Sequence, residues 1–80
     1  MTGPVHYTAV LDARLFDPLE RLPRIVQSVA ALSPGETLLL VTGQRPERLP
    51  GYLRQELGDR VSWEPVAEGP PVWRVCLRRR

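Results

Sequence analysis

Apolar and polar positions alternate along this chain in blocks that change period, and each block predicts one element. Val5 to Leu11 mixes β-branched, aromatic and apolar residues and predicts a first strand, which a polar turn closes at Asp12. Asp17 has the chemistry of a helix N-cap, with Pro18 at the first helical position and Glu20 three residues on, the spacing of a capping box. Pro23 opposes a regular start there, because a proline inside a helix loses a hydrogen bond and crowds the carbonyl four residues back. The expectation is a loose first turn over 18–22 and a regular helix from Pro23 to Leu32, stopped by Ser33-Pro34-Gly35. Its buried stripe is Leu22, Ile25, Val26, Val29 and Leu32, spaced three and four apart.

Glu36 to Thr42 predicts the second strand, and its unbroken Leu38-Leu39-Leu40-Val41 run predicts burial on both faces, as for an interior parallel strand. Joined to the first strand through the helix, it makes a right-handed βαβ unit. After the loop Gly43-Gln44-Arg45-Pro46, a second helix is expected over Glu47 to Leu57, with Leu49, Leu53 and Leu57 on one face. Pro50 and Gly51 weaken its first half, and Gly58 stands where a C-cap belongs. Val61 to Glu68 and Val72 to Arg79 predict two strands joined as an antiparallel hairpin through Gly69-Pro70-Pro71. In the last strand Trp73, Val75, Leu77 and Arg79 form the more apolar set and should face the core, with Val72, Arg74, Cys76 and Arg78 opposite. The order β-α-β-α-β-β predicts an α+β two-layer sandwich: a mixed four-stranded sheet with both helices on one face, and strand one or three at an edge.

Composition narrows the class. Eighty residues fit one domain, taken as 3–80, and 42% apolar with 25% charged residues is the balance of a soluble globular chain rather than a disordered one. All eleven basic residues are arginine, yet the formal charge is only +2, and Arg78, Arg79 and Arg80 supply more than that excess. That balance argues against a dedicated nucleic-acid binder. The single Cys76 excludes an internal disulfide. The longest apolar runs, Val29 to Leu32 and Leu38 to Val41, are too short to cross a bilayer, so the expected setting is the cytoplasm, away from membranes.

Leu11-Asp12-Ala13-Arg14, Pro34-Gly35-Glu36-Thr37-Leu38 and the closing apolar-arginine strand resemble the TusA/SirA-like domains, small sulfur-carrier proteins. In that family Leu-Asp-x-Arg continues to Cys-Pro-x-Pro, whose cysteine carries a persulfide at the start of the first helix, where the helix terminus favours a thiolate. Counting without gaps places Pro18 at that cysteine, and a proline carries no sulfur. Glu20-Arg21-x-Pro23, Gly35-Glu36, Trp63 and Gly69-Pro70-x-x-Trp73-Arg74 are similar instead to a cysteine-less branch of unknown function. Relatives there commonly carry His where this chain has Leu22, and an Asp-His-Asp-Pro turn where it has Gly43-Gln44-Arg45-Pro46. The resemblance therefore implies no metal and no cofactor for this chain.

If the first two strands are parallel neighbours, as the family fold implies, their carboxyl ends and both helix starts open on one edge. Arg14, Asp17, Arg21, Arg45 and Arg48 gather there as candidates to hold a phosphate, a sulfur oxyanion or a partner's carboxylate. Against that stands pairing of Arg14 with Asp12 or Asp17, the other arginines being merely solvated. Asp12, Asp17 and Glu20 raise acid/base chemistry, but no histidine, serine nucleophile or metal ligand accompanies them, and turn and cap duty accounts for Asp17 and Glu20. Cys76 reads as a small buried residue of a central strand, His6 lacks any visible partner, and Trp63 and Trp73 read as core or hairpin packing. The expected protein is a non-enzymatic binding module for a small anion or a protein partner. The alternatives are sulfur transfer through Cys76, or RNA binding, since the element order also resembles the C-terminal domain of a bacterial translation initiation factor.

Overall fold

The computed structural model describes residues 6–80. Its four strands are β1 (Ala9–Asp12), β2 (Thr37–Thr42), β3 (Val61–Ala67) and β4 (Trp73–Arg79); its helices are α1 (Pro18–Ala30) and α2 (Leu49–Leu57). Short 3-10 turns at Ala13–Leu15 and Gly58–Arg60 complete the chain. The sheet order is β1-β2-β4-β3, with β1 parallel to β2 and the other two pairings antiparallel. This is the mixed four-stranded α+β sheet expected from the sequence, with β1 and β3 at its edges.

β1 is shorter than expected. Val5 lies outside the described residues, and His6 and Tyr7 do not join the ladder. Pairing instead begins where the Thr8 amide donates to the Thr37 carbonyl at 2.9 Å, and it runs on to Asp12, opposite Val41.

α1 departs from the expected break at Pro23. It is a regular helix from Pro18, with Pro23 inside it. Pro23 falls on the second turn, where it deprives the carbonyl of Leu19, an exposed residue, of its helical donor without ending the helix. The capping box does not form. Asp17 is the N-cap residue but makes no side-chain cap bond, and the Glu20 amide donates to the Asp17 carbonyl at 2.9 Å. The Glu20 carboxylate lies instead 3.8 Å from Arg24, one turn on. The helix ends at Ala30, two residues early, yet its stripe is the expected one: Ile25, Val29 and Leu32 are buried, and Leu22 and Val26 pack against them.

α2 starts at Leu49, two residues later than the pattern suggested. Leu49, Leu53 and Leu57 are buried, and Gly58 closes the helix at φ +60°, a conformation glycine adopts without strain. Both helices lie against Leu38 and Leu40 of β2 and Val75 and Leu77 of β4, and together these side chains form the core.

The second face of β2 is closed without a covering layer. Leu39 sits between Val10 and Cys76, and Val41 between Asp12 and Arg74, so cross-strand neighbours leave Val41 only 8% exposed. Cys76 is accordingly half-buried on the uncovered face of an interior strand.

Candidate functional site

Because β1 and β2 are parallel and joined through α1, their carboxyl ends and the starts of both helices share one end of the sheet. A cleft of about 510 Å3 opens there. Its floor is apolar, with Ala13, Ile25, Leu40 and Leu49, each at most 3% exposed. Its wall is cationic: Arg14, Arg21, Arg45 and Arg48, from three separate segments, all line it. Asp17 does not line it, so four of the five residues expected to meet at this edge do so. Glu47 is the one carboxylate among the lining residues.

The four arginines differ in freedom. Arg14 is held by Asp12 in a forked pair, its Nε donating to Oδ1 at 2.9 Å and its Nη2 to Oδ2 at 2.7 Å. Asp12 also accepts from the Arg14 amide at 3.0 Å, which caps the 3-10 turn. The side-chain hydrogen bond from Arg14 holds the Asp12 carboxyl below its ordinary range, and the same bond raises the Arg14 guanidinium. Arg14 runs over Gly43, where an added Cβ would lie 3.4 Å from the Arg14 Cγ, an ordinary contact. Thus the pairing of Arg14 with Asp12, weighed against a binding role, is present in the fold.

Arg21 donates from Nε to the Phe16 carbonyl at 3.1 Å, which anchors the stem and leaves its charge without a carboxylate. Arg45 and Arg48 have no side-chain hydrogen bond or ion pair among the described residues, and both are exposed. They sit on a shaped loop. The Thr42 hydroxyl donates to the Gln44 carbonyl at 2.7 Å, and the Glu47 amide to the Arg45 carbonyl at 2.9 Å. Setting Arg14 against Asp12, Arg21, Arg45 and Arg48 face Glu47 alone, a net excess of two positive charges at the cleft. Neither helix start facing the cleft is capped by a side chain; Pro18 and Pro50 remove one amide from each first turn, and the Glu20 amide is taken by the Asp17 carbonyl.

The remaining candidates lie elsewhere. Among the described residues no three His, Cys, Asp or Glu side chains gather as metal ligands. His6 is exposed beyond the opposite end of the sheet, before the first paired residue of β1. Burial pushes the Cys76 thiol above its ordinary range; nearby Arg78 opposes that shift and Glu64 adds to it. Trp63 and Trp73 do not close a core. They line a second groove next to the cleft, a placement that strand alternation alone did not reveal.

A family model described as an uncharacterised conserved protein, DUF2249, matches residues 10–79. No curated protein and no solved structure matches the chain. Among the described residues no helix is long and apolar enough to cross a membrane.

Proposed function

This chain belongs to the DUF2249 family, whose model spans β1 to β4, and from the site that fold carries we propose a non-catalytic binding module that captures an anionic group in the arginine cleft. One observation carries the reading: Arg21 of α1 and Arg45 and Arg48 of the loop before α2 line one cavity, with a single carboxylate to oppose them. Such a cavity suits a phosphate, a sulfur oxyanion or a carboxylate, borne by a small molecule or by a protein partner. The resemblance to TusA/SirA-like domains supports the same edge, since that is where the sulfur-carrier cysteine sits in those proteins and where Pro18 stands here. Within this reading residues 3–80 form one TusA/SirA-like domain acting in the cytoplasm.

Two competitors draw less support. Sulfur transfer through Cys76 needs a thiolate, and burial on the sheet disfavours one. RNA binding needs a continuous basic track, whereas Arg74 and Arg78 share their sheet face with Glu64 and Asp12.

The test is an amide chemical-shift titration with phosphate and thiosulfate. Saturable shifts are expected at Arg21, Gly43, Arg45 and Arg48, and those at Arg21 and Gly43 should be lost in the Arg45→Ala/Arg48→Ala double variant while its unfolding free energy stays within about 0.5 kcal/mol of the parent. Affinity unchanged by the double substitution would overturn the reading.

A further inference from the structure

Beside the arginine cleft runs a second groove of about 250 Å3, and the two share Arg45, Pro46 and Glu47. Trp63 of β3 and Trp73 of β4 wall the second groove, and Glu47 and Glu68 bring carboxylates to it. Trp63 remains 38% exposed, with ring surface open to a ligand. The two thus lie side by side across the Arg45–Glu47 segment, the first lined by Arg21, Arg45 and Arg48 and the second by the two tryptophans, with Glu47, Glu68 and Arg74 beside them.

We propose that cleft and groove together form one site for a nucleoside phosphate, a ligand class that rests on the anion-binding reading above. The phosphate lies against Arg45 and Arg48, and the base lies against the tryptophan walls, where stacking needs only a π-face. Glu47 and Glu68 accept from the N–H groups on the edge of the base. Arg45 and Arg74 line the groove as well, so its lining carries two guanidinium and two carboxylate groups and no net charge.

The chain has two tryptophans in all, and both line this groove, so tryptophan emission excited beyond the absorption of the two tyrosines reports on it, Trp63 also bordering a smaller cavity with Arg54, Asp59 and Arg80. The experiment titrates the full chain with AMP, ribose 5-phosphate and adenosine, following tryptophan emission and, separately, heat. AMP is expected to quench the emission and to bind about ten-fold more tightly than ribose 5-phosphate, the scale of one base stacked on an aromatic side chain. Trp63→Ala should erase that difference and leave ribose 5-phosphate binding as it was, while Trp63→Phe, which keeps the wall aromatic, should keep most of it. If Trp63→Ala weakens both phosphates equally, folding is the cause and the Phe variant decides: a folded Phe variant that binds AMP no better than ribose 5-phosphate overturns the site. Equal affinity of AMP and ribose 5-phosphate with unmoved emission overturns the inference and leaves the anion-binding reading standing. Failure of both phosphates to bind overturns the nucleotide site, and the phosphate and thiosulfate titration then decides the anion-binding reading separately. Adenosine binding as tightly as AMP overturns the joined site.

Discussion

At the end of the sheet where β2 begins, arginine is bound into the backbone. The Arg79 carbonyl accepts from the Gly35 amide at 2.7 Å and its amide donates to Glu36 at 3.0 Å, while Arg78 Nη1 reaches the Gly35 carbonyl at 3.2 Å. The Arg80 amide donates to the Arg60 carbonyl at 2.7 Å, and Arg60 Nε donates to Leu57 at 3.0 Å. At the opposite end Arg45 and Arg48 are engaged by no side-chain bond among the described residues and line a cavity instead. The side chains of Arg60 and Arg78 thus bond to main-chain carbonyls at one end, while those of Arg45 and Arg48 stay open at the other. The first, closed end has a cost at Arg79, whose Nε and Nη1 are shut off from solvent without a hydrogen-bond partner among the described residues.

The two ends share a core, and the largest effect is expected where that core becomes the floor of the cleft. Leu40 is fully buried and lines the cleft. Leu40→Ala should cost about 2–5 kcal/mol in urea unfolding, the range for a buried leucine truncated in a packed interior. A loss below about 1 kcal/mol would mean that the cleft end relaxes around the gap and is not a preformed cavity.

A smaller effect is expected from breaking only the closed end. Gly35 adopts φ +90°, where an L side chain is strained, although open space surrounds its Cβ position. Gly35→Ala should destabilise the chain by about 1–2 kcal/mol through the backbone alone. Phosphate affinity should be untouched. A concurrent loss of affinity would show that the two ends are coupled and end the division between them.

The division explains which features could be seen in the sequence. The unbroken Leu38–Val41 run marked an interior strand, and the helical connection to β1 then fixed the edge on which Arg14, Arg21, Arg45 and Arg48 meet. Parallel topology is a consequence of order and length, so a single chain reveals it. Side-chain partners are not such a consequence. Asp17 carried every local sign of a cap, yet its carboxylate makes no cap bond, while Asp12, two residues before Arg14, was free to choose among partners and took the forked pair. Pro23 misled for a related reason, because a proline costs a helix one hydrogen bond and some crowding, and the packing of the stripe around it decides whether the helix continues. The tryptophan groove needed tertiary contact between the loop before α2 and the β3–β4 hairpin, which are distant in sequence. Strand alternation places Trp73 on the helix-facing side with Val75 and Leu77, but it does not show that the covering helix stops short of it.

The smallest effect is also the sharpest probe of the contrast, because it turns a structural arginine into a cleft arginine. Arg14 holds the Asp12 carboxyl below its ordinary value near 3.8, so in the window between the two values the unfolded chain binds more protons than the folded one. The contribution to stability is therefore fully present above that ordinary value and is lost as pH falls through the lower, folded one. The pair is exposed and screened, so the urea midpoint of the parent should fall only slightly between about pH 5 and pH 2 relative to Asp12→Asn, with added salt shrinking the difference further. An identical pH profile for the two chains would mean that the forked pair does not persist in solution. Binding gives the second readout at neutral pH. With the Asp12 carboxylate gone, the Arg14 guanidinium is released beside Gly43 into the cleft, and phosphate affinity should rise. If it does not, Arg14 is confined by its path over Gly43 rather than by its partner, and the two kinds of arginine differ in position and not in pairing.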